Sequence, residues 1–65
     1  MLRYDVILVG DVVAAAVQRG LRAEYEAGYT HVFVSASSKS QAAGKCGRFG
    51  EIFYVCCLLD AEGAQ

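Results

Sequence analysis

The sequence predicts a small α+β domain of order β-α-β-β, in which three strands form a mixed sheet and one helix covers one face. Residues 4–9 and 29–35 are rich in β-branched and aromatic side chains, and the segment between them has helical periodicity. A third apolar run, residues 51–59, follows a polar stretch that contains glycines. The length of 65 residues permits one domain at most.

The first strand and the helix are predicted from residues 4–27. The sequence YDVILV ends at Gly10, which is typical of a strand that is followed by a turn. Asp11 comes next, and its carboxylate can accept hydrogen bonds from the free N–H groups of a first helical turn. We therefore predict a helix over residues 12–27, whose apolar side chains fall on one side, and we expect Gly28 to end it in a left-handed conformation.

The second and third strands are predicted over residues 29–35 and 51–59. The helical crossover makes the first two strands parallel, and a direct hairpin makes the third antiparallel to the second. We expect the third strand at the centre of the sheet, because both of its faces are apolar. These elements form a single domain over residues 1–59, and residues 60–65, which contain no apolar side chain larger than alanine, are expected to fray.

One helix covers only one face of such a sheet, and the predicted elements include no second helix for the other. The chain is 55% hydrophobic and only 20% charged. Because monomers rarely expose large apolar patches, we expect a homo-oligomer, formed through the uncovered face or through a sheet edge. The alternative is a monomer with an exposed apolar face.

Charge and cysteine content exclude several classes of protein. A formal net charge of -1 argues against binding to duplex nucleic acid through its phosphates. The three cysteines have no C-x-x-C spacing, so they support neither a disulfide framework nor a metal site, and they suit a reducing cytoplasm. The sequence shows no secretory signal, and no uncharged apolar stretch reaches the roughly 20 residues that cross a bilayer. We expect a cytoplasmic protein with no membrane partner.

The segment YEAGYTHVFVS, residues 25–35, lies between the predicted helix and the end of the second strand. With these elements around it, the chain resembles the small βαββ domains of unknown function found in bacterial and phage proteins. Those domains carry an alanine-rich helix end, a glycine, an aromatic residue that is usually tryptophan, and a strand that ends in serine. Tyr29 stands here where tryptophan is usual. The resemblance covers residues 4–59 and implies the fold and compact oligomers, but no catalytic residue.

A candidate binding site lies in residues 35–50, which contain four serines, three cationic side chains and no acidic one. Hydroxyls, backbone N–H groups exposed at glycines and Lys or Arg side chains are the donors that anions and phosphates require. We therefore predict a non-catalytic homo-oligomeric protein that captures or sequesters a small anionic, nucleotide-like ligand; a phage-encoded sponge for a signalling nucleotide is one such protein. The predicted ligand-binding residues are Ser37, Ser38, Lys39, Ser40, Lys45 and Arg48. Phe49, Tyr54 or Tyr29 could stack on a base.

Two alternatives to this hypothesis stay open. The polar stretch is also typical of a solvated hairpin loop whose lysines keep the protein in solution. The protein could equally be a structural or interaction module whose apolar sheet face binds a protein partner.

The sequence predicts no enzyme, no metal and no cofactor. Gly44, Lys45 and Cys46 lack the earlier glycine and the hydroxyl of a phosphate-binding P-loop. Gly10 follows a strand, as in dinucleotide-binding folds, but no G-x-G-x-x-G motif is present. His31 is expected to make a structural hydrogen bond and not to form a catalytic pair with a cysteine. A single carboxylate such as Glu24 does not define a general acid.

Overall fold

The computed structural model describes residues 1–58, which form a four-stranded antiparallel sheet and two helices. The elements in chain order are β1 Leu2–Val9, α1 Val13–Gln18, β2 Arg22–Glu26, β3 Tyr29–Ala36, α2 Lys39–Cys46, a 3-10 helix Gly47–Phe49, and β4 Ile52–Leu58. The strand order is β2-β3-β1-β4. The α+β class is confirmed. The sheet has four strands where three were predicted, and the domain has two helices where one was predicted.

The predicted helix over residues 12–27 is wrong beyond its first turns, because Gly20 ends α1. Gly20 has a φ of +80°, its N–H donates to the Val17 carbonyl at 2.9 Å, and the Leu21 N–H donates to the Ala16 carbonyl at 3.1 Å. These two hydrogen bonds form a Schellman motif, with the glycine at its left-handed position. Because α1 ends at Gln18, residues Arg22–Glu26 are free to form the strand β2.

A tight hairpin joins β2 to β3 through Ala27 and Gly28, whose φ values are +53° and +93°. Two consecutive left-handed residues are typical of a type I′ turn, which matches the twist of the flanking strands. Gly28 is thus a hairpin residue and not the end of a helix. The extra strand also reverses the chain once more, so β1 and β3 are antiparallel, and the predicted parallel pair is wrong.

The predicted loop between the second and third strands contains α2 and the 3-10 helix. Ser38 is the N-cap of α2, and its Oγ accepts from the Gln41 N–H at 3.1 Å. The Gln41 Oε1 accepts in turn from the Ser37 N–H at 2.7 Å, so the S-x-x-Q segment forms a variant of the capping box in which the glutamine bonds the residue before the N-cap. Ala42 and Cys46, one turn apart, are fully buried and hold α2 against the sheet.

β4 lies at an edge of the sheet and pairs with β1, so the prediction that this strand is central is wrong. The central strands are β1 and β3, which carry most of the buried core residues. Because a 3-10 helix and a helix precede β4, no direct hairpin connects it to β3. The predicted end of the strand at Leu59 and the predicted fraying of residues 60–65 lie outside the described residues.

The core lies between the sheet and both helices. Alternate residues of β1, Tyr4, Val6 and Leu8, are buried in one cluster with Ala16 of α1 and Ala42 of α2. Both helices therefore pack on the same side of the sheet, which we call the helix side. The intervening residues of each strand project to the opposite side, which we call the open face. Neither helix in residues 1–58 is long and apolar enough to cross a bilayer.

Candidate functional site

The ends of three helical segments meet at an open groove of roughly 220 Å³. The groove is lined by Arg19, Leu21, Lys45, Arg48 and Phe49, and we call it the cationic groove. Arg19 is the C-cap of α1, Lys45 lies in the last turn of α2, and Arg48 is in the 3-10 helix. Cations are favoured at helix C-termini because they complement the helix dipole. This local preference accounts for their positions, and the packing of both helices on one side of the sheet brings them together.

Lys45 is held in place by the neighbouring strand. Its Nζ donates a hydrogen bond to the Ser35 carbonyl at 2.7 Å. The adjacent Cys46 is buried, and this burial raises the pKa of its thiol, while the positive charge of Lys45 acts in the opposite direction. A buried, protonated thiol is a poor nucleophile. Cys46 therefore packs α2 onto the sheet and contributes no reactive group to the groove.

The structure brings only two of the predicted ligand-binding residues to the groove. Lys45 and Arg48 line it, whereas Lys39 begins α2. At a rise of about 1.5 Å per residue, Lys39 starts about 9 Å along the helix axis from Lys45. The serines Ser37, Ser38 and Ser40 lie at the same N-terminal end of α2, where Ser37 and Ser38 hydrogen-bond Gln41.

Arg19 lines the groove but is not among the residues predicted from the sequence to bind a ligand. The sequence predicts it within a helix over residues 12–27, on the side opposite the apolar side chains. The signal that could have found it is Gly20, because a glycine stop places the preceding residue at the C-terminal end of a helix.

The open face carries a polar pair on its two central strands and aromatic side chains beside that pair. The Asp5 carboxylate accepts a hydrogen bond from His31 Nδ1, at 2.9 Å to Oδ2 and 3.2 Å to Oδ1. His31 therefore makes a structural hydrogen bond, on a central strand. The Tyr29 and Phe53 rings pack with their centroids 4.7 Å apart. Tyr54, which pairs with Ile7, also projects to this face. Tyr29 and Tyr54 thus lie across the sheet from the cationic groove.

A second groove of roughly 240 Å³ lies on the open face, lined by Arg3, Arg22, Glu24 and Phe33. Because Glu24 is among these residues, this groove is less positive than the first. Within residues 1–58, no group of three or more His, Cys, Asp or Glu side chains is placed to hold a metal ion.

Comparison with protein-family models, with curated proteins and with solved structures finds no match to this chain. We therefore infer function from the geometry and charge of the chain's own residues.

Proposed function

We propose that this protein binds a small phosphate-bearing anion, nucleotide-like in character, in the cationic groove, and that it captures the ligand without transforming it. The observation that carries the proposal is the convergence of Arg19, Lys45 and Arg48 from three separate segments on one groove. Within residues 1–58, no carboxylate lines that groove. Three like charges held together repel one another, and a bound anion relieves that repulsion while accepting their hydrogen bonds.

The dimensions of the groove favour a phosphate group over a large organic ligand. Its volume of roughly 220 Å³ is below the approximately 300–1,000 Å³ of pockets that enclose drug-sized molecules. Two guanidinium groups offer the planar, forked donors that match phosphate oxygens. Phe49 and Leu21 supply an apolar wall on which the remainder of a nucleotide can lie.

The proposal differs from the sequence-based hypothesis in the residues that it uses. Ser37 and Ser38 are already engaged in the cap of α2. The site therefore centres on Lys45, Arg48 and Arg19, and Lys39 has a secondary place at the far end of α2. Self-association remains part of the proposal, because both helices cover the same side and leave the open face without a cover from residues 1–58.

A second candidate function is a protein-interaction module that uses the open face. Phe53 and Tyr54 support it, since they are neighbouring aromatic residues of β4 and are 59% and 57% exposed. Exposed aromatic groups of this kind are enriched where proteins bind one another.

Calorimetric titration with inorganic phosphate, pyrophosphate and a nucleoside monophosphate at low salt tests the first candidate. We expect Arg48→Gln and Arg19→Gln each to weaken binding by about tenfold or more, because hydrogen bonds to charged groups contribute about 1.5–3 kcal/mol each. Arg3→Gln is the matched control, since Arg3 lies at the second groove on the open face. Lys39→Gln should cause a smaller loss than either groove variant.

Two results would contradict the proposal. The first is the absence of binding by any of the three anions at millimolar concentration. The second is an equal loss of affinity in the Arg3→Gln control, which would indicate a response to net charge and not to the groove.

A further inference from the structure

β2 is an edge strand, and within residues 1–58 no strand pairs with its outer side. It pairs with β3 in a register that places Glu26 opposite Tyr29 and Glu24 opposite His31. In a two-residue hairpin the pair next to the turn is hydrogen-bonded, and hydrogen-bonded pairs then alternate along the ladder. Glu26, Glu24 and Arg22 therefore direct their backbone groups towards β3. The backbone N–H and C=O groups of Ala23 and Tyr25 point away from β3, towards the outside of the sheet.

The side chains of β2 also alternate in character. Ala23 pairs with the buried Val32, so it faces the helix side, as does Tyr25 two residues further on. Arg22, Glu24 and Glu26 face the open side. The edge is thus apolar on one side of the sheet and carries both signs of charge on the other.

We propose that β2 pairs with β2 of a second copy of the chain, in antiparallel register centred on Ala23, to form a continuous eight-stranded sheet. This inference rests on the self-association included in the proposed function and names the surface that produces it. The two Ala23 residues exchange their outward N–H and C=O groups. On the open side, Arg22 then lies opposite Glu24 of the partner subunit, and two-fold symmetry forms this ion pair twice.

Charge selects this register over its neighbours. Outward backbone groups must meet outward backbone groups, so the centre can move only in single-residue steps along the strand. Centring the pair on Arg22 places that arginine opposite its own copy. Centring it on Glu24 places two carboxylates opposite each other, although Arg22 then faces Glu26. Like charges directly opposite destabilise a sheet, and the register centred on Ala23 contains none.

Two further observations support this edge as the interface. Within residues 1–58, the ion pair formed within 4.0 Å is His31–Asp5, so Arg22 and Glu24 have no such partner in that part of the chain. Tyr25 and Val17 are 51% and 53% exposed, and Val17 belongs to the helix that contacts β2. In the paired sheet, Tyr25 packs opposite Leu21 of the partner subunit on the helix side.

Native mass spectrometry and sedimentation equilibrium of the full chain test the inference. We expect a species of twice the 7.0 kDa chain mass. Arg22→Glu and Glu24→Arg should each weaken dimerisation by about tenfold or more, because each turns attractive cross-strand pairs into repulsive ones. The double variant Arg22→Glu/Glu24→Arg should restore the dimer, since both pairs form again with the signs exchanged. Glu26→Arg is the matched control, because Glu26 faces Gly20 of the partner subunit in this register.

Ala23→Pro gives a second measurement that does not depend on charge. Proline removes an outward N–H and leaves the β2–β3 ladder intact, so the variant should be a folded monomer by circular dichroism and by mass.

A dimer that persists in Ala23→Pro and in both single charge variants would overturn the edge assignment while leaving self-association in place. A wild-type monomer would overturn both, and the phosphate titrations would report on the groove separately.

Discussion

Replacing Thr30 with valine should strongly destabilise the protein, because this side chain fastens the β1–α1 connection to β3. Thr30 is fully buried. Its hydroxyl donates to the Gly10 carbonyl at 2.6 Å and accepts from the Val12 N–H at 2.9 Å. Valine has nearly the same shape but neither donates nor accepts, so Thr30→Val removes both hydrogen bonds and leaves the packing unchanged.

The size of the effect follows from the two backbone groups left behind. Each buried polar group without a partner costs about 1–3 kcal/mol. Gly10 and Val12 are only partly buried, so water recovers some of that cost. We expect a loss of about 2–4 kcal/mol in the free energy of unfolding, which is a large share of the roughly 5–15 kcal/mol typical of a domain. In a domain of this size, each kcal/mol corresponds to a shift in Tm of about 4–8 °C.

Urea denaturation followed by circular dichroism measures the loss as a lower midpoint with an unchanged slope. Thr30→Ser is the control, because it keeps the hydroxyl and loses one buried methyl group, worth about 0.8 kcal/mol. A valine variant as stable as the wild type would refute the reasoning, and so would a serine variant less stable than the valine variant.

The remaining predictions concern ionisation and backbone conformation. Because burial raises the pKa of the Cys46 thiol above its ordinary value of 9.0, the unfolded chain loses this proton first. The free energy of unfolding is therefore unaffected by this group below pH 9.0 and falls as the pH rises above it, so Cys46→Ala should flatten that fall on the alkaline side. Gly28→Ala should destabilise the protein by about 1–2 kcal/mol, since its φ of +93° disfavours a Cβ. Gly44→Ala, within α2 and with open space around it, should stabilise the protein by about 0.5–1 kcal/mol, as thermal denaturation can show.

Three of the four strands could be placed from the sequence, because their β-branched and aromatic runs are long and are bounded by glycine or polar residues. The predicted strands over residues 4–9, 29–35 and 51–59 overlap β1, β3 and the described part of β4. Their pairing could not be placed in the same way. Direction and order depend on how many elements separate the strands, and β2 and α2 were not predicted.

The missing elements carried local signals that periodicity alone did not separate. Apolar residues at positions 13, 16, 17, 20 and 21 fit a continuous helical stripe, but Gly20 in the left-handed conformation ends the helix there. The alternation of charged and apolar residues over Arg22–Glu26 has the period of a strand. The S-x-x-Q segment that begins at Ser38 is the N-terminal signal of α2.

Only those residues of the candidate site that are close together in the sequence could be predicted. The charge asymmetry of residues 35–50 identified Lys45 and Arg48, which do line the groove. In the sequence, β2, β3 and most of α2 lie between Arg19 and Lys45. Arg19 lies beside Lys45 and Arg48 because both helices pack on the same side of the sheet. The spacing of residues in a single sequence does not reveal that two helices pack on the same side of a sheet.

Leu21 belongs to both proposed surfaces, and this links them physically. It lines the cationic groove, and in the paired sheet it lies opposite Tyr25 of the partner subunit. A two-fold axis perpendicular to the sheet keeps the helix sides of both copies on the same side, so an aromatic side chain of each copy lies beside the groove of the other. A ligand that extends past Leu21 to touch that ring binds the dimer more tightly than the monomer, and by linkage it strengthens the dimer by the same factor. A phosphate ion confined to Arg19, Lys45 and Arg48 makes no such contact, so the coupling between binding and assembly depends on the part of the ligand beyond its phosphate.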